Sequence, residues 1–225
     1  MEKLELVKKL VIFDLDGTLV DSTDQIWNAV YSTREKLHYT QELKENLVPK
    51  IGLAARELFA DLNLSDLEVT RAVETLRKEI SDIKLTEHNL YPSVQELLTL
   101  LISRNFLLAI GTNKPFWLAD KALKECNIRG NFTLVAGSDS LPLKPDKAIL
   151  EYCINHLSIP SNSTIMIGDR VEDMHAASSA RVISYGVLQG VHNRNQLLEA
   201  GAKKVFFDIT DLYESLVQGW DFDDL

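Results

Sequence analysis

Six short apolar runs mark the chain, at residues 10–13, 106–110, 132–136, 164–167, 182–185 and 204–207. Beyond residue 91 they alternate with stretches in which apolar residues recur at helical spacing. A strand that is apolar at every position has no face to give to water, so it must be covered on both sides. Such strands alternating with helices predict an α/β fold: a parallel sheet sandwiched by helices.

The alternation is broken once, directly after the first run. From residue 21 to about 89 no strand pattern appears, and helical spacing dominates. Ile26, Ala29, Val30, Thr33 and Leu37 follow Asp21-Ser22, which reads as an N-cap. Residues 53–62 form a second candidate helix. Ser65-Asp66-Leu67-Glu68 has the capping-box pattern, followed by a stripe of Val69, Val73, Leu76 and Ile80. This stretch is an insertion in the α/β unit, predicting a core of residues 1–19 and 91–225 and an all-helical cap of residues 20–90. The crossings, near residues 19–22 and 89–92, would act as a hinge. Beyond them, Ser93-Val94-Gln95-Glu96 reads as the cap of a helix ending near Ser103. Pro115 and Pro145 read as first-turn prolines of two more helices.

Composition limits the classes of function. The chain has 225 residues, 45% of them hydrophobic and 25% charged, which is ordinary for a globular protein. With 24 basic and 33 acidic residues the net charge is −9. That argues against nucleic acid or an anionic membrane as partner. No apolar run approaches the ~20 residues of a membrane helix. The start, Met1-Glu2-Lys3-Leu4-Glu5, is not a secretory signal, and the expected location is cytoplasmic. Cys126 and Cys153 lack metal-type spacing and read as small buried hydrophobes in a reducing compartment. Trp27 and Trp117 read as buried packing residues.

Four polar segments lie just beyond apolar runs, and in open parallel sheets ligands bind at the carboxyl ends of strands. Asp14-Leu15-Asp16-Gly17-Thr18 places two carboxylates so close that both ionise comfortably only beside a cation or anion-binding donors. Gly111-Thr112-Asn113-Lys114 offers a hydroxyl and turn amides, a small anion cradle. Leu143-Lys144-Pro145-Asp146 brings an ammonium to the sheet edge. Gly168-Asp169-Arg170-Val171-Glu172-Asp173 adds two carboxylates four residues apart. Magnesium, a hard cation, suits one or two of these together with one from the first segment.

The four segments in this order resemble the haloacid dehalogenase-like superfamily of phosphatases and phosphomutases. The resemblance covers nearly the whole chain. It is closest to the helical-cap branch that includes phosphoglycolate phosphatase and β-phosphoglucomutase, and implies a Rossmann-like core. Asp14-Leu15-Asp16-Gly17-Thr18-Leu19-Val20-Asp21-Ser22 and Ile51-Gly52-Leu53-Ala54-Ala55-Arg56-Glu57-Leu58-Phe59 also match. Lys147 stands where the family often has proline after Lys-Pro-x, Arg181 where it usually has glycine, and residues 186–190 lack its frequent Thr-Trp. None of these departures removes a group the chemistry needs; they bear on the choice of substrate.

The resemblance implies a Mg2+-dependent phosphatase that hydrolyses a small phosphorylated metabolite (phosphoglycolate-like, or a sugar or nucleotide phosphate). Asp14 would be the nucleophile, forming an aspartyl-phosphate, and Asp16 the acid and base. Gly17, Thr112, Asn113 and Lys144 would bind the phosphate. Asp14, the Asp16 backbone carbonyl, Asp169 and Asp173 (direct or through water) would hold Mg2+. The acid at Asp16 favours phosphate esters over the substrates of dehalogenases and phosphonatases. Lys50 and Arg56 are the cap residues to test as substrate contacts. The expected partner is the substrate alone, with the protein a monomer or homodimer. A phosphomutase of the β-phosphoglucomutase type is the alternative. A non-catalytic binding protein of this fold would have lost Asp14, Asp16, Lys144 or Asp169, and all four are present.

Overall fold

The computed structural model describes residues 9–39, 50, 52–139 and 141–222, the Asp61 side chain excepted. The extreme N-terminus, Ile51 and residues 223–225 lie outside the described residues. In chain order the elements are β1 (Lys9–Phe13), α1 (Thr23–Lys36), a 3-10 helix (Ala55–Leu62), α2 (Asp66–Asp82) and α3 (Val94–Ser103). There follow β2 (Phe106–Gly111), α4 (Phe116–Glu125), β3 (Leu134–Ala136), α5 (Ala148–Leu157) and β4 (Thr164–Gly168). The chain continues through α6 (Val171–Ala180), β5 (Ile183–Val187), α7 (Arg194–Glu199), β6 (Lys204–Phe206) and α8 (Ile209–Val217).

The six strands form one sheet in the order β3-β2-β1-β4-β5-β6, every pair parallel. This is the parallel sheet expected from the alternation, in the Rossmann-like α/β architecture that the resemblance implies. The first strand is central, and all four of Leu10, Val11, Ile12 and Phe13 are fully buried. Their period of two explains why. Val11 and Phe13 join the apolar cluster packed by α3, α4 and α8, while Leu10 and Ile12 join the cluster packed by α5 and α6. Each such side chain contributes roughly 1.5–3 kcal/mol by leaving water.

The helical insertion has its own apolar cluster, built from Ile26, Ala29, Val30, Leu58, Phe59, Leu62, Ala72 and Leu76. Of the stripe read for α1, Ile26, Ala29, Val30 and Thr33 are buried, while Leu37 caps the helix and is half-buried. The Ser65–Glu68 capping box forms at the start of α2. Ser32 and Lys36 of α1 both bond Glu79 of α2, each at 2.6 Å. The two crossings lie side by side: Asp21 N–H donates to the Asn89 carbonyl at 2.8 Å and Tyr91 N–H to that of Leu19 at 3.1 Å.

Several local expectations are corrected. Residues 55–62 form a 3-10 helix rather than an α-helix. Ser93 adopts a left-handed conformation (φ 61°) and makes no side-chain cap. The helix expected from Pro145 begins at Ala148. Lys144-Pro145 is a cis peptide, and the Asp146 carboxylate accepts the Ala148 N–H at 2.8 Å, so a turn precedes the helix. Trp117 is 44% exposed on the first turn of α4 rather than buried, and Trp27 is half-buried, edge-on against Tyr31. Cys126 and Cys153 are buried free thiols, which burial pushes up to about 11 and about 12 respectively. No helix among the described residues is long and apolar enough to cross a membrane.

Candidate active site

Strand order decides which polar segments meet. The sheet places β1 between β2 and β4, with Phe13 in register with both Ile110 and Ile167. The residues that follow these three strands therefore emerge side by side at one sheet edge. Asp14 leaves β1 with its N–H donated to the Ile167 carbonyl at 2.9 Å. Asp169 leaves β4, and Asp173 lies in the first turn of α6. Asp14, Asp169 and Asp173 are all buried, and each offers a carboxylate oxygen within 4.8 Å of the others.

Lys144 is the ammonium among them. Its Nζ lies 2.9 Å from Asp14 Oδ1, 2.6 Å from Asp173 Oδ1 and 2.8 Å from the Gly111 carbonyl oxygen. Burial alone would lower its pKa; the Asp14 and Asp173 carboxylates outweigh that, and the net shift is upward. The carboxylates remain under strain of charge. Burial pushes Asp169 well above the usual carboxylate range, with repulsion from Asp14 and Asp173 acting in the same direction. Asp173 is pushed up to about 6, mainly by burial, although Lys144 pulls the other way. The Thr18 hydroxyl holds Asp169 Oδ1 at 2.7 Å, and Arg170 N–H holds Asp173 Oδ2 at 3.1 Å.

Two glycines make room for this packing. Gly17 has φ +83°, and a side chain there would put its Cβ 2.7 Å from Asp169 Oδ2. A Cβ on Gly190 would also collide with the Asp169 carboxylate. The residues fit a hard divalent cation. The donor set is all carboxylate oxygen, its charge exceeds what one lysine offsets, and buried Asp14 Oδ1 has no aligned hydrogen bond beside its ion pair.

Asp16 sits apart from this cluster. Lys114 Nζ grips both its oxygens, at 2.7 and 2.8 Å, and the Ser22 hydroxyl donates to Oδ1 at 2.5 Å. Neither partner was singled out from the sequence. Lys114 lay in a segment read as an anion cradle, and Ser22 in one read as a helix cap, yet the Ser22 side chain caps nothing. A run of local sequence carries no signal for a lysine that reaches across to another strand end.

The expected phosphate ligands separate into two groups. Thr112 is buried, and its hydroxyl accepts the Lys114 N–H at 3.2 Å, which leaves its own proton free to donate. The Asn113 side chain is already committed. Its carbonyl accepts Lys144 N–H at 2.8 Å, and its amide donates to the Lys144 and Gly52 carbonyls at 3.2 and 3.1 Å. Asn113 therefore positions Lys144 and ties Gly52 of the helical segment to the core. A cavity of about 310 Å³ opens beside Asp16 between the helical segment and the core. Arg56 borders it, with Nη2 3.7 Å from Asp66 and its side chain 60% exposed. Lys50 is half-buried and is not among the lining residues.

Comparison with known proteins agrees with this layout. A family model for haloacid dehalogenase-like hydrolases matches residues 11–187. The phosphoglycolate phosphatase of Colwellia psychrerythraea is 31% identical over 219 residues, covering 93% of this chain and 97% of that one. Among solved structures, a Clostridium acetobutylicum protein inferred to be a phosphatase superposes with a TM-score of 0.82 at 26% identity, covering 94% of this chain and 99% of that one. A Thermotoga maritima protein inferred to be a β-phosphoglucomutase superposes with a TM-score of 0.70 at 25% identity, covering 94% and 100%. With the family match running from β1 through β5, the chain belongs to the haloacid dehalogenase-like hydrolases.

Proposed function

We propose that this chain is a magnesium-dependent phosphatase of a small phosphorylated metabolite, acting through an aspartyl-phosphate on Asp14. The observation that carries the reading is the buried Asp14–Asp169–Asp173 cluster around Lys144 at the ends of β1 and β4, with Asp16 two residues beyond the first of them. Relatives named phosphoglycolate phosphatase support the reaction class.

In the first half-reaction an Asp14 oxygen bonds to phosphorus as the bond from phosphorus to the ester oxygen breaks. Asp16 gives a proton to that leaving oxygen. In the second, water bonds to phosphorus, Asp16 takes the proton, and Asp14 is released with inorganic phosphate. Lys144 and the Thr112 hydroxyl hold phosphoryl oxygens, with turn amides near Gly17 and Asn113 beside them. Lys114 and Ser22 fix the orientation of Asp16. Asp14, Asp169, Asp173 and the Asp16 carbonyl would hold Mg2+, which when bound offsets the charge between two anions and polarises the phosphoryl oxygen. The helical insertion, which together with the core walls the cavity beside Asp16, would shield the reaction from bulk water.

The test is release of phosphate from a panel of phosphate esters with and without Mg2+, with Asp14→Asn as control. Turnover that needs the metal and is lost in the variant is expected. No turnover, or an unaffected variant, overturns the proposal. The likeness to the Thermotoga maritima protein favours a phosphomutase as the second reading; steady phosphate release without isomerisation of a sugar phosphate eliminates it.

A further inference from the structure

The cavity beside Asp16 narrows the choice of substrate, on the basis of the phosphatase reading above. Asp16 is the group that meets the leaving oxygen, so whatever is esterified to the phosphate extends into the space that Asp16 borders. At about 310 Å³ that space is at the lower end of the ~300–1,000 Å³ range of cavities that hold drug-sized ligands. A two-carbon leaving group would leave most of it unfilled.

The chemistry of the walls is as informative as the volume. Leu53, Leu58, Val73 and Ile80 face it from the helical segment, and Leu118 and Leu143 from the core. The polar side chains nearest the reaction are already engaged. Lys114 and Asp16 hold each other, and the Asn113 amide bonds the Gly52 and Lys144 carbonyls. Among the described lining side chains this leaves Ser138, Arg56 and Arg77 with polar capacity, and both arginines are exposed and so remain hydrated. A sugar or a glycolate entering here would give up hydrogen bonds to water and find few replacements. An apolar group would gain by entering.

We infer that the leaving group is an apolar alcohol, ring-bearing or branched and large enough to fill the cavity, rather than a two-carbon acid or a sugar. Two pairs of probes with matched reacting ends test it. The first pair is 3-phenylpropyl phosphate against propyl phosphate, read as kcat/KM, with phosphoglycolate and glucose 6-phosphate alongside. The second pair is the non-hydrolysable 3-phenylpropylphosphonate against propylphosphonate, read as Kd by calorimetry in the presence of Mg2+. The phenyl member of each pair is expected to be better by about 10- to 100-fold. The Val73→Trp variant, which fills the cavity from α2, should bring both ratios toward one. Ratios near one in the unmodified protein, or faster turnover of phosphoglycolate or glucose 6-phosphate than of 3-phenylpropyl phosphate, would overturn the inference. Hydrolysis of none of the four esters would sink the phosphatase reading instead, and the phosphonate ratio would still decide the nature of the cavity.

Discussion

Replacing Lys144 by methionine probes the charge balance on which the site is built. Methionine keeps an unbranched side chain of similar length, so little cavity is created and the loss is electrostatic. In the native protein Nζ lies within 2.9 Å of Asp14 and Asp173 and donates to Gly111. Removing one member of a buried ion pair while its partners stay costs about 3–5 kcal/mol. For a chain of this size that lowers Tm by about 6–20 °C, at roughly 2–4 °C per kcal/mol. The pH dependence gives the effect its signature. Asp173 is raised from an ordinary 3.8 to about 6 even with Lys144 present, and without the lysine it must rise further. A carboxyl raised in the folded state costs nothing below its unfolded value. Its penalty grows as pH climbs toward the folded value and is complete above it. The deficit of the variant is therefore largest at pH 7.5 and shrinks toward pH 5, where the carboxylates take up protons in place of the lost ammonium. Thermal unfolding of both proteins in EDTA at the two pH values measures it. A variant melting within about 2 °C of the parent at pH 7.5, or a deficit as large at pH 5 as at 7.5, would refute the charge-balance argument.

Three further outcomes follow from the same geometry. Mg2+ should raise Tm at pH 7.5 and do so less at pH 5, because ligand carboxylates such as Asp173, at about 6, must lose protons to bind it; an equal shift at both pH values would speak against the acidic cluster as the metal site. Lys114→Met leaves buried Asp16 with the hydrogen bond from the Ser22 hydroxyl but without its ammonium partner, and should cost about 2–3 kcal/mol in chemical denaturation and lower kcat; unchanged values would show the pair to be idle. Gly17→Ala imposes a Cβ at φ +83° against Asp169 and should cost about 1–3 kcal/mol with loss of activity, read by melting and by phosphate release.

Much of the fold was legible because a doubly buried strand declares itself. Residues 10–13 are apolar throughout, and both faces are indeed packed. Asp14, Asp169 and Asp173 were legible because each follows such a strand within five residues, and the parallel sheet aligns strand ends. What periodicity could not see were contacts made across the sheet edge. Nothing local tells a lysine at 114 from a surface lysine, or a capping serine from one that bonds Asp16. Nor did the sequence show that the Asn113 side chain bonds the Lys144 backbone, which leaves only turn amides near Asn113 for the anion role expected of that loop. The Lys144-Pro145 step misled the helix boundary because proline suits a first turn and a tight turn equally well.

The placement of β1 also governs how the protein is made. Its partners are β2, beginning at Phe106, and β4, beginning at Thr164. At a synthesis rate of ~5–20 residues per second, several seconds or more separate the emergence of β1 from that of either neighbour. Throughout that time the apolar run of residues 10–13 has no sheet to join, while the helical insertion, with its own apolar cluster, can already condense behind it. Asp14, Asp169 and Asp173 come together only when β4 docks. A nascent or truncated chain that stops short of Asp169 can therefore hold Asp14 and Asp16 without the rest of the acidic cluster, so on the proposed mechanism activity reports on completion of the sheet rather than on the presence of the first motif.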